Sequence, residues 1–232
     1  MDFTQPLIHG TYIKRYKRFF VDALLPDGTT VTAHCANTGS MLGLNDEGNG
    51  VYLSPAENPE RKLKYTLEMI DVGTSLVGVN TSRPNAIVAD AITNTLVPEL
   101  TGYQTLLREK KYGTNSRIDI LLQDPAKGTC FVEVKNTTLR VGDAAQFPDA
   151  VTSRGLKHLE ELMAERKAGN RVVMFYLVQR SDCTTFAPAD DIDPAYGQTL
   201  RKAVAEGLEI LAYSCTLNAH AIVLDKKLEV CL

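Results

Sequence analysis

Residues 116–139, SRIDILLQDPAKGTCFVEVKNTTL, restrict this chain more than any other stretch. Apolar side chains alternate in two short runs, Ile118, Ile120 and Leu122, then Cys130, Val132 and Val134, with Asp124, Pro125, Lys127 and Gly128 between them. Period-two runs around a polar break containing proline and glycine predict a β-hairpin. Side chains two apart on a strand share a face, so Glu133 and Lys135 point together, away from the face that Val132 and Val134 bury. Asp119 lies in the partner strand between two aliphatic residues, where antiparallel pairing brings it opposite or diagonal to Glu133. The expectation is two carboxylates and one ammonium in a small volume. Carboxylates held together resist ionising unless a cation sits between them. A hard divalent ion, Mg²⁺ or Mn²⁺, supplies that charge and can bridge to phosphate oxygens, with Lys135 placed to orient or deprotonate an attacking water. Phosphodiester hydrolysis is the chemistry that fits.

Asp119 followed by Glu133-Val134-Lys135 resembles the core of the PD-(D/E)XK nuclease superfamily. Six blocks in order make the resemblance more specific: RYKRFFVD at 15–22, HCANTGSM at 34–41, VNTSRPN at 79–85, SRIDILL at 116–122, FVEVKNTTL at 131–139 and FPDAVTSRGLKHLEEL at 147–162. Together they resemble the sugar fermentation stimulation protein A (SfsA) family across nearly the whole chain. The resemblance implies an OB-like barrel followed by a PD-(D/E)XK nuclease-like α/β sandwich. It implies a catalytic set of Asp119, Glu133 and Lys135, with Asp119, Glu133 and the Val134 carbonyl as metal ligands. In relatives the first helix often contributes a further acid, which makes Asp90 an outer metal partner here, although aspartate reaches less far than glutamate.

At 232 residues the chain is long enough for one large domain or two small ones. It has no apolar run long enough to span a bilayer, and MDFTQPLIHG lacks the basic and apolar parts of a signal peptide, so a cytoplasmic protein without membrane contact is expected. The five cysteines are scattered without a CxxC pair or a histidine cluster, which predicts reduced, mostly core-filling thiols and no zinc site. A formal net charge of −3 means that any nucleic-acid surface must be local. No GxxxxGK loop or dinucleotide glycine fingerprint is present, and there is no tryptophan to stack on a sugar, which removes support for a small-molecule or sugar enzyme.

Residues 7–80 read as short strands separated by turns containing Gly, Pro and Asn, the pattern of a small closed or half-closed barrel. Within it Lys14, Arg15, Tyr16, Lys17 and Arg18, followed by Phe19 and Phe20, mix positive and aromatic side chains most densely. They form either a phosphate-tracking, base-stacking surface or a basic outer strand face with Phe19, Phe20 and Val21 in the core. Arg61 and Lys62, with Lys64, add a second basic run. Asn37 to Met41 form a tight loop that is either an anion-holding nest or an Asx-type turn.

Near Thr81-Ser82-Arg83-Pro84 the period becomes helical, and Ala86, Ile87, Ala91, Ile92 and Leu96 extend it to Pro98, so the domain boundary is placed between residues 83 and 84. TGYQTLLREKKYG predicts another strand, and Tyr112, Asn115, Ser116 and Arg117 stand at the hairpin entrance, where Arg117 meets either a phosphate or a surface acid. In the helix after FPDAV, Leu156, Leu159, Leu162 and Met163 form the apolar stripe, while Arg154, Lys157, His158 and Glu161 share another face, which predicts Arg154, Lys157 and His158 beside the phosphate. RVVMFYLVQ predicts a strand buried on both faces. Asp190, Asp191 and Asp193 lack the glycine and glutamate of an EF-hand and mark a helix start, with Asp193 capping and Pro194 at the first position. The functional expectation is a nucleic-acid-binding protein, DNA ahead of RNA, that cuts with Mg²⁺ or Mn²⁺. The rival is a DNA-binding regulator of sugar (maltose) metabolism genes on a non-cutting nuclease scaffold.

Overall fold

The structure, a computed structural model, describes residues 1–58, 60–112 and 116–232; Asn115, expected at the hairpin entrance, lies outside the described residues. The chain opens with β1 (Ile8–Tyr16), β2 (Phe20–Leu24), β3 (Thr30–His34), β4 (Gly50–Pro55), β5 (Tyr65–Asp71) and β6 (Leu76–Gly78). Antiparallel pairing joins β3 to β2, β2 to β1, β1 to β4 and β4 to β5, and a short parallel contact of β3 with β5 closes the ring. This is a five-strand OB barrel, the fold expected for this half. In β2, Val21 and Ala23 turn inward beside Tyr12, Leu53 and Leu67, while Leu24 faces solvent. Leu67, Glu68, Met69 and Ile70 of β5 are all buried, because one face of the strand lines the barrel and the other packs on the rest of the chain, where Met69 joins a second core.

After the barrel come α1 (Pro84–Thr93), a 3₁₀ turn (Pro98–Leu100), β7 (Thr105–Tyr112), β8 (Ser116–Asp124), β9 (Gly128–Thr137), β10 (Leu139–Val141), β11 (Ala144–Phe147), α2 (Ser153–Lys167), β12 (Arg171–Val178), β13 (Thr185–Pro188), α3 (Pro194–Ala205), β14 (Glu209–Leu217), β15 (Ile222–Lys227) and β16 (Glu229–Val230). Six strands in the order β15-β14-β12-β9-β8-β7 form the main sheet. The β7–β8–β9 meander is antiparallel, while β9, β12 and β14 run parallel. Ile87, Val88 and Ile92 of α1 cover one face; Leu159 and Leu162 of α2 and Tyr196 and Leu200 of α3 cover the other. β12 is buried throughout after its first residue, as its unbroken apolar run requires. The result is the expected PD-(D/E)XK nuclease-like α/β sandwich.

Three details differ from the sequence reading. The first helix stops at Thr93 rather than continuing to Pro98, because Thr95 takes φ 58°, and Leu96 is left exposed. A small second sheet, β10-β11-β13-β16, was not anticipated; strands of two to four residues contain too few alternations to show a period. The third is an added function for Asp193. It caps α3 as expected, accepting from the Tyr196 N–H (3.0 Å), and its other oxygen accepts from the Thr152 N–H (2.9 Å), so one buried carboxylate sets the starts of both α2 and α3.

The barrel and sheet are bonded to each other. The Gly78 N–H donates to the Gln179 carbonyl (2.8 Å), and a Cβ on Gly78 would lie 2.5 Å from the Gln179 side chain, so only glycine allows this approach. Asp182 accepts from Thr74 of the barrel (2.8 Å) and from Arg140 (3.2 Å) and Arg180 (2.6 Å) of the α/β unit. Burial opposes its ionisation, yet the bonds from Arg180 and Thr74 and the charges of Arg180 and Arg140 outweigh it and hold the carboxyl down at about 2. A depressed folded-state pKa stabilises above the unfolded value near 3.8 and loses that contribution as pH falls through about 2. Asp182→Asn is therefore expected to lower the denaturation midpoint at pH 6 and to converge with the parent protein towards pH 2, which acid titration of the two unfolding curves checks. Among the described residues no helix is long and apolar enough to cross a membrane.

Candidate metal and phosphate site

The hairpin pairs β8 with β9 only between Ile120↔Val132 and Asp124↔Gly128, and beyond Ile120 the ladder stops. At the next position Asp119 replaces backbone with side chain: its Oδ2 accepts the Val134 N–H at 2.8 Å. The N–H and C=O of one strand residue leave on the same edge, so the Val134 carbonyl faces the same opening. Glu133, 2% exposed, lies on the α2 side of β9. Its Oε1 accepts from Lys135 Nζ (2.7 Å) and is bonded to His158 Nδ1 of α2. Lys135 Nζ also lies 2.8 Å from that nitrogen, and Arg154 Nε donates to His158 Nε2 at 3.4 Å, which fits the tautomer carrying its proton on Nδ1. Asp119, Glu133, Val134 and Lys135 line one cavity of about 490 Å³ with Asn37, Thr81, Asn85, Glu109, Arg154 and His158. The cavity lies where the barrel meets the sheet.

The two acids differ electrostatically. Burial first, then the charge of Glu133, pushes the Asp119 carboxyl up to about 6 against the pull of the Val134 N–H, Asn85 and Lys135. Burial raises Glu133 too, but the His158 bond and the Lys135 charge more than offset it and hold that carboxyl below its ordinary value. Its Oε2 is buried and accepts no hydrogen bond from any described residue. A buried carboxylate oxygen without a donor is costly, and a cation beside it removes that cost. No ready-made cage of three or more His, Cys, Asp or Glu side chains is gathered among the described residues, so an ion here would take Glu133 Oε2, Asp119, a backbone carbonyl and water. That hard, partly hydrated oxygen set suits Mg²⁺ or Mn²⁺, so the residues fit such an ion.

The other expected site residues divide. Arg154 lines the cavity, whereas His158 is buried against Glu133 and holds that carboxylate rather than a phosphate. Lys157 is exposed beside Glu161 (3.6 Å), and Arg117 is exposed on β8 outside the cavity. The expectation for Asp90 is corrected. It sits exposed on α1 with the Met1 ammonium 3.7 Å away and does not reach the cavity, because the sheet opening meets the first turn of α1 and Asp90 lies more than a turn further along. That first turn presents Asn85, whose Nδ2 donates to Asp119 Oδ1 (2.8 Å) and to Glu109 Oε1 (2.6 Å). Neither Asn85 nor Glu109 stood out in the sequence.

On the barrel, Lys14, Tyr16, Lys17 and Arg18 line a shallow surface pocket at the β1–β2 turn. Tyr16 (37% exposed) stacks on Phe20, Phe19 is 47% exposed, and Val21 alone of the run enters the core. Lys17 and Arg18 both have positive φ, which L residues adopt at a cost. Lys14 and Tyr16 lean on Asp22. Arg15 is occupied: it donates to the Asn37 (2.7 Å) and Gly39 (3.0 Å) carbonyls and pins the 37–41 loop. Asn37 closes that loop as an Asx turn on the Gly39 N–H, and Ser40 Oγ and the Met41 N–H hold an internal anion, the Asp149 carboxylate. Arg61 bonds Thr66, and Lys62 is exposed.

An OB barrel joined to a PD-(D/E)XK nuclease-like sandwich, with an acid pair and lysine where its central hairpin splays, defines a nuclease-like class of protein. Residues 13–79 match the family model described as "SfsA N-terminal OB domain", and residues 82–221 match "Sugar fermentation stimulation protein RE domain". The chain belongs to the sugar fermentation stimulation protein (SfsA) family. It is 56% identical to the sugar fermentation stimulation protein homolog of Rhodospirillum centenum over 98% of each chain. It is 55% identical to that of Paramagnetospirillum magneticum over 96% of this chain and 94% of the other. The solved structure of Pyrococcus furiosus SfsA in complex with Ca²⁺ superposes with a TM-score of 0.90 at 27% identity, covering 100% of this chain and 98% of that one.

Proposed function

We propose that this protein binds nucleic acid, DNA in preference to RNA, along the barrel and the mouth of the cavity, and hydrolyses its phosphodiester backbone with Mg²⁺ or Mn²⁺. The observation that carries the reading is the donorless, buried Glu133 Oε2 beside an Asp119 whose carboxyl is held up at about 6. The Ca²⁺ held by the Pyrococcus furiosus relative supports it, Ca²⁺ and Mg²⁺ being hard cations that share oxygen ligands. Glu133, Asp119 and the Val134 carbonyl hold the ion. When bound, the ion supplies positive charge to phosphate oxygens and acidifies water nearby. Lys135 Nζ positions the attacking water, and His158 fixes Glu133 so that Oε2 stays turned to the opening. Arg154 at the cavity wall and Lys14, Lys17, Arg18, Arg61, Lys62, Arg117 and Lys157 on the surface neutralise phosphates, while Tyr16 and Phe19 offer faces to bases. We divide the chain between residues 83 and 84 into a binding unit and a cutting unit, both in the cytoplasm.

The test is incubation of the pure protein with single- and double-stranded DNA and RNA, with and without Mn²⁺, beside Glu133→Ala. Cleavage is expected only with the ion and only by the parent protein, the variant falling at least about 10²-fold while still binding. Binding without cleavage under every condition would leave the non-cutting regulator of sugar-metabolism genes as the function.

A further inference from the structure

β7 and β8 pair from Thr105↔Gln123 to Tyr112↔Ser116, with one rung missing: Arg108 faces Ile120 and Lys110 faces Ile118, but Glu109 and Asp119, which the register sets opposite each other, are not paired. Glu109 has φ 53° there. Like charges directly opposite on neighbouring strands repel, and a non-glycine residue in left-handed backbone is disfavoured. Two costs thus coincide where the cavity opens. Asn85 Nδ2 spans the missing rung, donating to both carboxylates, and Glu109 lines the cavity with Asp119 and Glu133. An independent feature marks the place as one for a ligand: the Glu133 side chain is 3% exposed, and its Oε2 receives no donor from the described residues.

We propose that Glu109 is a third acid of the cation centre, acting on the ion's water shell through Asn85 and its own charge rather than as a direct ligand. The inference rests on the metal reading above. Glu109 is exposed and one amide away from Asp119, so it stands where the waters of a partly hydrated ion would lie and accepts hydrogen bonds from them. Asn85 couples the two acids: as long as its amide bonds both, Asp119 keeps one orientation. Outer carboxylates placed in this way tune both ligand geometry and affinity.

Two variants separate this from a structural role. Glu109→Gln keeps an acceptor for Asn85 and removes only the charge. Glu109→Gly removes the carboxylate and relieves the positive φ, so the ion-free protein is expected to melt no lower than the parent. Calorimetric titration with MnCl₂ is expected to show affinity about tenfold weaker in both, against a parent that binds one ion. A weakening of less than about threefold in the two folded variants would overturn the assignment and leave the Asp119–Glu133 site intact. A parent that takes up no Mn²⁺ would overturn the metal reading and this inference with it.

Discussion

Lys135→Ala is expected to lower Mn²⁺-dependent cleavage by about 10²–10⁴-fold, the range lost when a positioned proton-transfer group is removed. It should do so without weakening the ion. Lys135 Nζ lies 2.7 Å from Glu133 Oε1, and its side chain is 11% exposed, so the ammonium is held in the cavity rather than waving in solvent. Removing it deletes a positive charge beside two acids, and Mn²⁺ affinity should therefore hold or rise. Glu133 keeps its bond to His158, so the carboxylate stays in place. Lys135→Arg should not rescue cleavage, because a planar guanidinium is larger and does not give up a proton near neutral pH. Single-turnover cleavage measured beside Mn²⁺ titration checks both halves. Unchanged cleavage would remove Lys135 from the chemistry, and lost Mn²⁺ binding would make it a structural support for the site.

Arg83→Ala is expected to destabilise the fold by about 3–5 kcal/mol, which for a chain of this size lowers the melting temperature by roughly 10 °C. Glu68 is fully buried between barrel and sheet and accepts from Ser54 (2.7 Å), Asn80 (2.9 Å) and both Arg83 Nε (3.1 Å) and Nη2 (2.7 Å). Arg83 is its one charged hydrogen-bond donor among the described residues. Ser54 and Asn80 donate dipoles, which do not neutralise a buried carboxylate. Because Arg83 immediately precedes α1, the loss should loosen the joint that carries Asn85 and the Thr81 wall of the cavity. Chemical denaturation at pH 7 measures the effect; a loss below about 1 kcal/mol would mean that water reaches Glu68 and the pair is not a latch.

The central hairpin was legible because Ile118, Ile120 and Leu122 and then Cys130, Val132 and Val134 carry the strand period without interruption, which fixes where Glu133 and Lys135 point. The barrel was legible for the same reason, and Asp193 because a capping acid before proline has few other uses. What failed depended on packing. Asp90 is one residue from the apolar stripe, but the sheet opening meets the first turn of α1, so Asn85 reaches Asp119 and Asp90 meets Met1. Glu109 sits in LREKKY, which reads as a charged edge strand; the missing rung with Asp119 depends on a register that no local pattern announces. His158 shares a helical spacing with Arg154, and only the docking of α2 on β9 shows that its ring is buried on Glu133. Arg15 resembles its neighbours in the basic run until the 37–41 loop folds onto its guanidinium.

All of this converges on whether one divalent ion occupies the gap between Asp119 and Glu133. Crystals soaked in MnCl₂ and measured at the manganese edge should show a single strong anomalous peak within bonding distance of Glu133 Oε2 and an Asp119 oxygen, with Glu133→Ala crystals losing it. A peak placed elsewhere, or a Glu133 carboxylate still closed on Lys135 and His158 with no density at Oε2, would contradict the metal site and leave a nucleic-acid-binding barrel on a scaffold that does not cut.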